Sequence, residues 1–145
     1  MIVIDADDAI AGRLAAFVAK KTLAGEEVAV VNIEKAVLSG NPEKIAEKYA
    51  GRRTMQQKAD PRKSPSQHWS RRPDKLFKRI ARGMMPKHSK RAKEALGRLR
   101  AYLGVPKELE GKAQKFGSTS EKLLCGYLTL NDLCVKLGWT VKKRA

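Results

Sequence analysis

The sequence predicts an α/β domain with a small, largely parallel sheet. Three observations carry that expectation. A β-branched run opens the chain, an amphipathic stretch of helical period follows, and a second, continuously apolar run precedes a strong helix start. Strand, helix, strand, helix is the order of a βαβα unit, which brings its strands together side by side and parallel. The length, 145 residues, suits one domain spanning 1–145.

Ile2-Val3-Ile4 reads as a buried strand over residues 1–5, stopped by Asp5-Ala6-Asp7-Asp8. Between Ala9 and Leu23, Ile10, Leu14, Phe17 and Val18 recur at helical spacing, and Gly25 closes the segment. Residues 28–33, Val-Ala-Val-Val-Asn-Ile, do not alternate, as expected of a strand covered on both faces. Asn41 can cap a helix, Pro42 suits its first position, and Glu43 meets the positive end of its dipole.

From Gly51 to Arg72 the aliphatic residues nearly vanish, and an extended basic excursion is expected, with a short strand near Thr54-Met55-Gln56. Pro73 starts a helix with Leu76, Phe77, Ile80 and Met84 on its apolar face and Gly83 at its end. Ser89 can cap a second basic helix with Ala92, Ala95, Leu96 and Leu99 inward. Residues 104–122 read mostly as loop. Thr129 and Asp132 form a capping box, with Leu128 able to staple against Leu133. Leu130, Leu133, Cys134 and Leu137 share one helical face, Gly138 stops it, and Trp139-Thr140-Val141 is expected as a last strand.

The charge is concentrated rather than spread. The formal net charge is +16, yet residues 1–50 carry six basic against eight acidic side chains. Residues 51–101 carry seventeen against three, and residues 102–145 carry eight against four. A near-neutral scaffold with one strongly basic block implies a binding face for an anion. Arginine outnumbers lysine in that block. Its planar fork pairs with phosphate oxygens and stacks on bases, which favours nucleic acid over a generic acidic partner. The candidate contacts are Arg52, Arg53, Lys58, Arg62, Lys63, Arg71 and Arg72 in the excursion. Arg79, Arg82, Lys87, His88, Lys90 and Arg91 follow on the two helices and the turn between them. His68 and Trp69 read either as an RNA-contacting pair or, for Trp69, as the edge of the core. No apolar run is long enough to span a bilayer, and no secretory leader is expected. With two cysteines a disulfide framework is not expected, and a reducing cytoplasm is the default compartment.

No catalytic constellation is expected. Asp5, Asp7 and Asp8 read as turn formers capping the next helix, against the alternative of a metal site. Only Gly12 follows the first strand where a dinucleotide fingerprint needs three glycines, and the Walker pattern is absent. Cys125, Cys134, His68 and His88 are not at zinc spacing, so no cofactor or metal is expected.

Several separated motifs resemble one family. Asp5-Ala6 with Ala11-Gly12-Arg13-Leu14-Ala15, and Val30-Val31-Asn32-Ile33-Glu34-Lys35-Ala36 with Ser39-Gly40-Asn41, are similar to the N-terminal half of the large-subunit ribosomal protein L13 family. Arg71-Arg72-Pro73, Arg82-Gly83-Met84-Met85-Pro86-Lys87, Gly97, Leu99 and Tyr102-Leu103-Gly104 resemble its later segments. The ending Leu133-Cys134-Val135-Lys136-Leu137-Gly138-Trp139 is similar to archaeal members. The resemblance implies a three-layer α/β/α fold and a structural, non-catalytic role, binding large-subunit rRNA beside neighbouring large-subunit proteins. Gly83 would then allow close approach of backbone to RNA, or simply stop its helix. Met84 and Met85 read as packing residues before RNA contacts. A free-standing mRNA-binding regulator and an RNA-acting enzyme are the competing classes.

Overall fold

The computed structural model describes residues 1–54 and 69–140. Its centre is a four-stranded, wholly parallel sheet in the order β4-β2-β1-β5. Strands β1 (Ile2–Asp5) and β2 (Val28–Val31) pair from Ile2↔Val28 to Asp5↔Val31, joined through helix α1 (Ala11–Leu23). Strand β4 (Leu99–Ala101) borders β2, and the two-residue β5 (Gln114–Lys115) borders β1. A separate antiparallel pair joins β3 (Val37–Ser39) to β6 (Tyr127–Thr129). The remaining helices are α2 (Pro42–Thr54), α3 (Pro73–Gly83), α4 (Lys90–Arg98) and α5 (Leu130–Lys136).

Side chains of a strand alternate between its two faces, and here both are buried. Ile4, Val28 and Val30 enter the main core with Leu14 and Val18 of α1, Leu76 and Phe77 of α3, and Leu130 and Leu133 of α5. Val3, Ala29 and Val31 face the other way, onto Leu109, Tyr102 and Ala113. The sheet thus lies between a helical layer and a thinner one whose regular part is the single 3-10 turn Lys107–Leu109. This double burial explains why Val28–Val31 is apolar throughout.

Strand β2 is shorter than its apolar run. Asn32 adopts a left-handed conformation (φ 53°), which a strand cannot continue through, and a 3-10 turn at Ile33–Lys35 redirects the chain into β3. The Asn32 amide donates to Asp5 Oδ1 at 2.9 Å, and the Asp7 N–H donates to the same oxygen at 3.0 Å. Asp5 is therefore a turn former, as expected. None of the three aspartates caps α1, whose N-cap is Ile10 with no side-chain bond.

Three expectations need correction. Gly51, Arg52 and Arg53 do not begin an extended excursion, and Thr54 is not in a strand: all four belong to α2. Glycine inside a helix costs about 1 kcal/mol, but the contacts of Tyr49, Arg52 and Arg53 described below hold that last turn. Met55 and Gln56 lie outside the described residues. Trp139 and Thr140 are not a strand either. Gly138 (φ 82°) donates to the Val135 carbonyl and Trp139 to the Cys134 carbonyl, both at 2.8 Å. That pair of bonds is a Schellman closure, and it turns Trp139 back onto the main core. Finally, Met84 does not lie on the buried face of α3. It is 43% exposed, whereas Met85 is 6% exposed and packs with Ala19, Ala92 and Ala95. The helix ends at Gly83, so the chain has left the helical period before either methionine.

Candidate nucleic-acid interface

Helix α3 builds the first wall of the site. Pro73 occupies its first turn, and Asp74 takes a bidentate pair from Arg72 at 3.1 and 3.0 Å. Leu76, Phe77 and Ala81 are buried, so the helical period turns Lys75, Lys78, Arg79 and Arg82 away from the core centre. The turn after α3 is tight: Met84 and Met85 donate to the carbonyls of Ala81 and Arg82 at 3.0 and 3.2 Å. Helix α4 then supplies the second wall, held down by Ala92 and Ala95.

An open cleft of about 840 Å³ lies between these walls. Its floor is apolar, made by Met85, Ala92 and Leu96. Arg79, Arg82, Lys87 and Lys93 line it, with His88 and Ser89 in the connecting turn and Trp69 at one end. Among the described residues no carboxylate lines it.

Trp69 is half-buried at the edge of the core and also lines the cleft. It packs against the main core and meets Tyr49 edge-on, with ring centroids 5.9 Å apart. The guanidiniums of Arg79 and Arg52 lie 4.1 and 4.9 Å from its ring centroid. Arg53 Nη1 donates to the Trp69 carbonyl at 2.6 Å. The described residues on either side of 55–68 are thereby clasped together. Burial lowers the Arg79 pKa from its ordinary value, and repulsion from Arg82 and Arg52 lowers it further. Like charges are crowded here.

The first turn of α4 is similarly unfavourable. Its N-cap, Ser89, makes no side-chain bond to the helix, and the turn holds Lys90 and Arg91 with no acidic residue. Cations at the positive end of a helix dipole cost energy unless an anion joins them.

The predicted contacts therefore fall into distinct groups. Trp69, Arg79, Arg82, Gly83, Lys87 and His88 come together around the cleft, and Lys90 stands at its rim helix. A Cβ on Gly83 would meet no atom within 4 Å, so the chain itself does not require the glycine for packing. Arg91 serves the fold: its Nε and Nη2 donate to the Leu23 carbonyl at 3.3 and 2.9 Å, closing the C-terminus of α1. Arg72 is engaged with Asp74, and Arg71 Nη1 is 3.5 Å from the Gly138 carbonyl. Lys58, Arg62, Lys63 and His68 lie outside the described residues. Sequence reasoning missed Tyr49 and Lys93 as members of the cluster and cleft. The i, i+3 spacing of Tyr49 and Arg52 was the available signal for the former.

The usual ligand crevice of an α/β sheet, beyond the carboxyl ends of its strands, is filled by the chain itself. The Asn32 N–H donates to the Gly104 carbonyl at 3.1 Å, and the Gly104 N–H donates to the Glu34 carboxylate at 2.9 and 3.2 Å. Among the described residues no group of three or more His, Cys, Asp or Glu could hold a metal ion. No described helix is long and apolar enough to cross a membrane.

The α/β scaffold thus carries a cleft lined by arginine and lysine with no carboxylate among the described residues, an arrangement that suits an anionic ligand. The sequence profile of the family described as Ribosomal protein L13 matches residues 1–108. The chain belongs to that structural, non-enzymatic family. It is 41% identical over 142 residues to the large ribosomal subunit protein uL13 of Methanopyrus kandleri, covering 94% of this chain and 86% of the relative. The uL13 protein of Methanococcus maripaludis is 39% identical over 95% of this chain and 98% of its own length. That of Aeropyrum pernix is 42% identical over 95% and 90% respectively.

Proposed function

We propose that this chain is a structural constituent of the large ribosomal subunit, acting in the cytoplasm as one domain that binds large-subunit rRNA beside neighbouring subunit proteins. The observation that carries the reading is the gathering of Arg79, Arg82, Lys87 and Lys93 along one cleft, where phosphate oxygens can pair with them. The unneutralised first turn of α4 supports the same reading. In it, Arg79, Arg82, Lys87, His88 and Lys90 contact RNA around the cleft, and the open space at Gly83 admits a phosphate close to the backbone. Arg52, Arg53 and Trp69 hold the base of the basic segment, from which Lys58, Arg62, Lys63 and His68 would reach further along the RNA. Arg71, Arg72 and Arg91 contribute field rather than dedicated contacts, since each already engages the protein.

The test is the salt dependence of binding to large-subunit rRNA. Each phosphate neutralised makes the slope of log K against log salt steeper by about 0.7 to 0.9. Removing charge at Arg82 and Lys87 together should flatten it by about 1.4 to 1.8, and an unchanged slope would refute the assignment. The protein should also stay with the large subunit through a high-salt wash. A free-standing mRNA regulator would wash off.

A further inference from the structure

The geometry points to the α3–α4 cleft as a receptor for a single nucleotide turned out of its helix, the base lying on the outer face of the Arg79 guanidinium where that group covers Trp69. The inference rests on the reading of this face as RNA-binding and adds which RNA feature it takes. Phosphate binding alone needs cations on a surface. This site also has an apolar floor of Met85, Ala92 and Leu96, set below the cations. Duplex RNA presents its phosphates outward and keeps its bases stacked, so it would leave that floor empty. An extruded nucleotide has the complementary shape, an apolar disc attached to an anion.

The stacking element is preassembled. Arg79 lies 4.1 Å from the Trp69 ring centroid, and both residues line the cleft. A guanidinium already held over an indole loses little freedom when a base covers its other side. Lys87 and Lys93 stand where the phosphates of such a nucleotide would be neutralised. An acidic peptide would match the charges and leave the floor unfilled, so the observations favour RNA.

The experiment uses the full chain and two RNA hairpins of equal length and charge. One carries 2-aminopurine as a single-nucleotide bulge, the other carries it paired in the stem. Stacking of a base on an aromatic or guanidinium platform should make the bulged hairpin bind about 5- to 100-fold more tightly, with the 2-aminopurine emission quenched on binding. Arg79→Lys keeps the charge and removes the plane, so it should abolish the preference and the quench while leaving the salt slope in place. Lys93→Gln should weaken the bulged hairpin more than the paired one, narrowing their ratio while the quench persists. Equal affinity of the two hairpins with a steep salt slope overturns the nucleotide receptor and leaves the phosphate-binding reading standing. A flat slope for both removes that reading and the receptor with it. A preference that survives Arg79→Lys, or polyglutamate displacing the bulged hairpin as well as RNA does, also overturns the proposal.

Discussion

Replacing Lys90 by glutamate should make the protein more stable and a poorer RNA binder at once. Lys90 opens α4, whose first turn contains no acidic residue and whose N-cap contributes no side-chain bond. A carboxylate there meets the positive end of the helix dipole, and removal of the lysine relieves the opposite interaction, each worth about 0.3–1 kcal/mol at an exposed position. Glu94, four residues on, repels the new carboxylate by about 0.2–0.5 kcal/mol, and Lys93, three residues on, attracts it by a similar amount. The net gain is therefore about 0.6–2 kcal/mol, or a rise in melting temperature of about 2–8 °C for a chain of this size. Chemical denaturation would show a higher midpoint with an unchanged slope. The same variant should lose affinity for rRNA, with its salt slope shallower by about 0.7 to 0.9 for the lost phosphate contact. Loss of stability in Lys90→Glu would refute the reading of α4 as a helix start left uncapped in favour of an anion. An unaltered salt slope would remove Lys90 from the interface.

Three further outcomes follow from the packing and charge. Phe77→Ala removes a fully buried ring between α3 and the sheet and should cost about 3–5 kcal/mol in denaturant titrations, a loss below about 1 kcal/mol being incompatible with that burial. Arg91→Met should lower stability by about 1 kcal/mol by uncapping α1, yet change the RNA salt slope less than Lys90→Gln does. A full phosphate-sized change at Arg91 would reverse that assignment. Burial pushes the Cys134 thiol up to about 12, with a smaller contribution from Asp74. Unfolding drops it toward about 8.5, so its stabilising contribution is complete below that pH and is lost as pH rises toward 12. Burial also raises the Tyr49 pKa, which adds to the same trend at higher pH. Between pH 8 and pH 10 the wild-type chain should lose about 2 kcal/mol more stability than Cys134→Ala. Equal losses would show that the thiol ionises alike in both states.

Much of the fold was legible because its signals are local. The helical period of Ile10, Leu14 and Val18, the Asn41 cap, which accepts from the Glu43 N–H at 2.9 Å, and the Thr129 cap, which accepts from the Asp132 N–H at 3.1 Å, each act within a few residues. Strands β3 and β6 were not legible. They are three residues each, and they pair residues some ninety positions apart through Val37↔Thr129 and Leu38↔Leu128, a match that no window on the sequence displays. The end of α2 was missed for a related reason: Gly51 and two arginines look like a breaker, and only Trp69 brought against Arg52 and Arg53 makes them helical.

The candidate site divides in the same way. Composition and its distribution determined that one third of the chain carries nearly all the positive charge, because net charge over a segment does not depend on how that segment folds. Composition could not say which cations are available to a ligand, because all arginines look alike in a sequence. The tertiary structure decided that: Arg91 closes α1, Arg72 holds Asp74, Arg53 holds the Trp69 carbonyl, and Arg82, Lys87 and Lys93 remain around an apolar floor. A guanidinium has five donors and bonds whichever acceptor the fold brings within reach. The sequence by itself determined the sign of the charge that a partner must match, and the packing of α3 against α4 determined where the cleft lies.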